Sequence, residues 1–139
     1  MKTDTFNCKA DIYWRIVERG KAAIPFLINK LTDTAKTSIK HPCKKETLNA
    51  GEVAHFVLTQ IADFPTYLVT KIQFDVFSQG CWSFYEYLFN NAAKTHYQKS
   101  VRDWYDKEKK HYKAKKISKK NQTECQKLFG IDTFYRWRE

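Results

Sequence analysis

Residues 10–31 read ADIYWRIVERGKAAIPFLINKL, and their spacing predicts two helices folded back on each other. Ala10, Tyr13, Trp14 and Val17 recur at three- and four-residue intervals, and Ile16 widens the stripe. A helix over residues 7–19 would therefore be apolar on one side. Gly20 supplies its stop, since glycine tolerates the conformation a helix C-terminus often needs. Pro25 then falls where a first helical turn accepts proline. Ile24, Leu27, Ile28 and Leu31 form the stripe of the second helix. A link of about four residues leaves these helices no choice but an antiparallel hairpin.

Further along, Asn49 and Glu52 stand three apart at the start of a third apolar run, a variant of the capping box. Val53, Ala54, Val57, Leu58 and Ile61 share one face of that helix. Pro65 interrupts, with Phe64 before it. Between the hairpin and this helix lies DTAKTSIKHPCKKETL, residues 33–48. That is long for an unpatterned connection in a compact domain, and Cys43 is a candidate pin for it. After Pro65 the segment TYLVTKIQFDVF is β-branched and aromatic, so residues 66–77 are readable as helical or extended.

A shift of 40 positions superposes the two halves of this region. Ile24-Pro25 falls on Phe64-Pro65, Trp14 on Ala54, Ile16 on Phe56, Val17 on Val57, Leu27 on Tyr67 and Ile28 on Leu68. The segments AIPFLINKLTD and GEVAHFVLTQI look like the second and first helices of a HEAT-type repeat. Over residues 10–77 the chain thus resembles the HEAT-like α-solenoid proteins. The resemblance implies an all-α fold: a short stack of antiparallel helix pairs in a single domain over residues 1–139. Some HEAT-like proteins are DNA glycosylases with a basic concave groove, but this chain offers no catalytic Asp in a matching context.

The C-terminal half reads as a short aromatic helix over residues 83–90 and a long one over residues 94–112. The long helix would bury Tyr97, Val101, Trp104, Tyr105 and Tyr112. Lys113 to Lys120 reads as a lysine-rich connection. A last short helix over residues 123–129 would stop at Gly130. The tail, Ile131 to Trp137, is too aromatic to float free and is expected to dock on the body.

Composition agrees with a folded, helix-rich domain. The chain has 139 residues, with only four glycines and three prolines, fewer than the tight turns of an all-β fold usually require. No apolar run reaches the length of a membrane span. Residues 1–9 are polar and lack the apolar stretch of a signal peptide.

The net charge of +10 is concentrated in one segment. Residues 94–120 carry eleven basic groups against Asp103, Asp106 and Glu108, whereas residues 1–93 carry eleven against nine. Lys109, Lys110, Lys113, Lys115 and Lys116 are the candidates for meeting an anionic surface. On a helix their spacing would scatter them over several faces. Trp82 and Tyr85, beside the short aromatic helix, are candidate contact anchors, with core packing as the competing role.

Catalytic and metal-binding signatures are missing. His41, His55, His96 and His111 lie at no metal-ligand spacing, and no HExxH, GxSxG or glycine-rich phosphate loop occurs. His41 and Cys43, two apart in a loop, give no warrant for a catalytic pair. No cofactor and no metal is expected. Cys8, Cys43, Cys81 and Cys125 permit three disulfide pairings or none. Paired, they point to an exported setting, periplasmic or extracellular; free, to the cytoplasm.

These observations together favour a non-catalytic protein that recognises another protein through a rigid helical face, such as an inhibitor or immunity-type protein for an acidic partner. Nucleic-acid or anionic-surface binding through residues 94–120 is the alternative. An enzyme ranks third.

Overall fold

The computed structural model describes residues 6–74, 77, 78 and 80–139, with residues 77 and 78 described by their backbone alone. The polar opening reading of residues 1–9 and the extended reading around residues 75 and 76 fall partly outside that set.

Helix α1 spans Asp11–Arg19 and buries Tyr13, Trp14 and Val17. A single 3-10 turn, Gly20–Ala23, leads into α2, Ile24–Lys30. Gly20 has a positive φ of 64°, and Pro25 stands in the first turn of α2. Helix α3, Ala50–Ile61, packs against both α1 and α2 and runs through the middle of the molecule. Its N-terminus carries a complete capping box. The Asn49 side chain accepts from Glu52 N–H at 3.0 Å, and the Glu52 carboxylate accepts from Asn49 N–H at 2.9 Å. Trp14, Ile24, Leu27, Val57, Leu58 and Ile61 are essentially without solvent contact and form one seam among these three helices.

The loop between α2 and α3 is held at several points. Leu48, fully buried, accepts from Thr37 N–H and donates to Ile39 O. A disulfide then joins Cys43 to Cys81. Pro65 leads into α4, Thr66–Thr70, which is only five residues long. A two-residue hairpin, β1 Phe77–Ser78 with β2 Cys81–Trp82, precedes α5, Phe84–Leu88.

The C-terminal region departs from an all-α fold. Helix α6 spans Lys94–Glu108, not residues 94–112. After the 3-10 turn Lys109–His111 the chain becomes strand β3, Tyr112–Lys116. Helix α7, Glu124–Phe129, follows, and the tail forms strand β4, Thr133–Trp137. Strands β3 and β4 pair antiparallel from Tyr112 opposite Trp137 to Lys116 opposite Thr133. The architecture is therefore mixed, mostly helical with two small antiparallel ladders.

The physical reason lies in Tyr112. Its seven-residue distance from Tyr105 suits a helix stripe, but its hydroxyl donates to Asp63 O at 2.6 Å and accepts from Trp104 Nε1 at 2.8 Å. Those contacts fix Tyr112 at 4% exposure, on the inner face of the ladder. The aromatic tail then finds partners: Trp137 packs on Trp104 with ring centroids 5.1 Å apart. Lysine is a good helix former, but propensity yields to tertiary context, and pairing with the aromatic strand Thr133–Trp137 outweighs it here. The ladder is fastened to the end of α3 by Asp63 N–H donating to Tyr135 O at 3.0 Å.

A second disulfide, Cys8 to Cys125, ties the segment before α1 to α7. All four cysteines are thus paired. Among the described residues no helix is long and apolar enough to cross a membrane.

Candidate functional site

The lysine segment is organised by a two-residue period, and this changes what it presents. In an antiparallel pair, directly opposed residues lie on the same face. Tyr112, Trp137, Ala114 and Tyr135 therefore share one face, and Lys113, Arg136, Lys115 and Phe134 share the other. Tyr112 and Trp137 turn toward the core. Lys113, Lys115 and Arg136 are exposed.

Lys116 is compensated. Its ammonium lies 2.9 Å from Asp132 and holds that carboxyl below the usual carboxylate range. Among the described residues no ion pair is recorded for Lys113, Lys115 or Arg136. Lys109 and Lys110 sit on the 3-10 turn before β3, away from this face. The five candidate lysines are therefore divided among three settings.

A cleft of about 530 Å³ runs beside the outer face. Lys115, Arg136 and Phe134 form one wall, and Thr59 and Gln60 of α3 another. Ser118, Asn121 and Gln126 add polar groups. The backbone along β3 is an edge, since its only ladder partner among the described residues is β4. Lysines are a common guard on such an edge against unwanted strand addition. They also select an acidic neighbour over a neutral one.

On the far side of Thr59 lies a second cavity, of about 370 Å³. Thr59 lines both spaces. Two imidazoles, His41 and His55, stand in its wall with the rings of Phe56, Phe64, Trp82, Phe84 and Tyr85. His41 comes from the long loop and stacks on Phe56 at 4.8 Å between centroids, with Tyr85 edge-on at 5.1 Å. Its Nδ1 accepts from Cys43 N–H at 3.1 Å, which places the proton of the neutral ring on Nε2. Burial lowers its pKa from the usual histidine value.

His55 comes from α3 and is 7% exposed. Its Nδ1 is 2.8 Å from Tyr97 Oη. Burial first, then the charge of Lys94, then His41 push its pKa down to about 3, so the ring is neutral at ordinary pH. Burial pushes Tyr97 up, so its hydroxyl keeps its proton. The Cys43–Cys81 disulfide closes this region, because His41 and Pro42 precede one cysteine and Trp82 follows the other.

Trp82 and Tyr85 are partly buried. They pack against the core and line this cavity. Trp82 Nε1 also donates to Phe74 O. His55, which sequence spacing marks only as a histidine beside an apolar face, is a buried neutral ring at a cavity wall. No local signal joins it to His41, fourteen positions earlier, because the loop that brings them together carries no periodic pattern. Among the described residues no group of three or more His, Cys, Asp or Glu gathers as a metal site.

Comparison with family models, curated proteins and solved structures finds no match to this chain.

Proposed function

We propose that the protein is a binding protein that receives an acidic protein surface on the outer face of the β3–β4 ladder. One observation carries this reading: Lys113, Lys115 and Arg136 stand on one face, without carboxylate partners among the described residues, beside an open cleft. The face is stiffened from beneath by the Trp104–Tyr112–Asp63 hydrogen bonds and the Trp104–Trp137 contact. A preorganised cationic face loses little side-chain and loop freedom on binding, and its charge steers an acidic partner into place. Two disulfides are compatible with an exported protein, and we place the encounter in an oxidising compartment.

Single-stranded nucleic acid is the second reading. Phe134 favours it, since an aromatic ring beside cations is the arrangement on which bases stack.

The test compares a Glu/Asp-rich peptide with a single-stranded oligonucleotide, both against the triple variant Lys113→Glu/Lys115→Glu/Arg136→Glu. The expected result is peptide binding at low salt that the triple variant loses. Peptide binding unchanged in the variant would remove the proposal. Oligonucleotide affinity that falls with a log–log salt slope of about −2 would favour the second reading.

A further inference from the structure

The cavity behind Thr59 has the features of a small-molecule site and not of a packing defect. Its volume of about 370 Å³ lies in the range of ligand pockets, roughly 300–1,000 Å³. Its lining is mostly aromatic, and besides Trp82 and Tyr85 its polar side chains are the two imidazoles and the hydroxyls of Thr59 and Thr66.

The hydrogen-bond partners of the two imidazoles assign what those groups offer. His41 Nδ1 is occupied as an acceptor by Cys43 N–H, so Nε2 carries the hydrogen. Tyr97 Oη keeps its proton and lies 2.8 Å from His55 Nδ1. With the hydroxyl donating to Nδ1, the hydrogen of His55 also sits on Nε2. Both neutral imidazoles then offer an N–H donor at the wall of one aromatic cavity. Two donors set among rings match a planar ligand that carries an acceptor group. A carboxylate, planar with the ring that bears it and carrying two acceptor oxygens, is the group that takes both hydrogen bonds.

We propose that this cavity binds a small aryl carboxylate, its ring lying against Phe56, Trp82 and Tyr85 and its carboxylate accepting hydrogen bonds from Nε2–H of His41 and His55. Binding involves no proton transfer, as both rings are donors in their neutral form. The site is separate from the cationic ladder and does not depend on it.

Titration calorimetry with indole-3-carboxylate, indole and acetate tests the assignment. Indole-3-carboxylate is expected to bind about tenfold or more tighter than indole, which lacks the acceptor, and tighter than acetate, which lacks the ring. His41→Phe keeps the ring stacked on Phe56 and removes the donor. It should weaken indole-3-carboxylate by about tenfold and leave indole unchanged. Circular dichroism and an unchanged disulfide count confirm that this variant is folded. If it is not, His55→Leu replaces it, removes the other donor and should give the same selective loss. The proposal is overturned by no saturable binding of indole-3-carboxylate up to about 10 mM. Equal loss of indole and indole-3-carboxylate in a folded variant would overturn it too.

Discussion

Glu52 and Lys94, 42 positions apart, meet at 3.2 Å in the interior, with the carboxylate wholly buried and the lysine side chain 5% exposed. The same carboxylate accepts from Asn49 N–H and pairs with Lys44 at 2.7 Å. One side chain thus closes the cap of α3, pins the preceding loop and anchors the start of α6. Burial draws the Lys94 ammonium below the ordinary lysine range, and the Glu52 charge opposes that shift. Removing Glu52 leaves Lys94 as an uncompensated buried charge, whereas Glu52 without Lys94 still holds Lys44 and Asn49 N–H. Glu52→Ala should therefore cost about 3–5 kcal/mol in urea unfolding. The double change Glu52→Gln/Lys94→Met should be less damaging than Glu52→Gln alone, which leaves the Lys94 ammonium buried without a carboxylate. A loss under about 1 kcal/mol for Glu52→Ala would show that the pair is solvated.

Gly51 tests the packing of α2 against α3. A Cβ at this position would stand 2.3 Å from Leu31 O and 2.9 Å from Asp33 O, both backbone atoms. Gly51 N–H also donates to Asp33 O at 2.7 Å, which holds the two chains close. Alanine normally gains about 1 kcal/mol over glycine inside a helix. Here the clash should reverse the sign, and Gly51→Ala should destabilise by about 2 kcal/mol or more. A raised melting temperature would mean that α2 and α3 can separate without cost.

Much of the helical seam is legible in the sequence, because its signals are local. The stripes of α1, α2 and α3 repeat at helical spacing, and Asn49 and Glu52 form their box within one turn. The C-terminal ladder is not legible in that way. Tyr112 sits in register with Tyr105, so periodicity extends the helix past Glu108. What ends it is a contact with Asp63, 49 positions earlier, together with the arrival of the tail. The change of period from helical to alternating also decides the candidate face: a helix scatters Lys113 and Lys115, and a strand aligns them. The cavity is hidden for the same reason. Its two histidines are joined only through a loop folded by Leu48 and a disulfide.

The buried His55 makes acid stability a sharp test. Its folded pKa is about 3, against an ordinary value of 6.5. Between those limits the unfolded chain binds the proton and the folded chain does not. Stability is therefore complete above pH 6.5 and falls as pH drops through this window, by up to about 1.4 kcal/mol per pH unit. Lys94, His41 and Tyr97 face the ring, and Glu52 balances Lys94 beside it. His41, also lowered by burial, adds loss of the same sign. Urea unfolding at pH 7, 6, 5 and 4 should show a decline that His55→Gln reduces. An identical slope in that variant would assign the acid sensitivity elsewhere.

The two disulfides should differ in both accessibility and contribution. Cys125 is 1% exposed and its partner Cys8 half-buried beside Lys9, whereas Cys43 and Cys81 are both half-buried, and Lys44 and Lys45 both follow Cys43. Neighbouring cations stabilise thiolates, and access governs exchange. Mild dithiol treatment should therefore open Cys43–Cys81 first, read as single alkylation of each by peptide mass mapping. Loop closure ranks stability in the other order. The bridged positions are 117 apart for Cys8–Cys125 and 38 apart for Cys43–Cys81. Chain entropy gives about 5 and about 4 kcal/mol respectively. Cys8→Ser/Cys125→Ser should thus lower the melting temperature more than Cys43→Ser/Cys81→Ser. The second pair should lose affinity at the His41 cavity while keeping most of the fold. Simultaneous opening of both bridges under mild reduction would instead mean that the loop bearing His41 is held as firmly as the core.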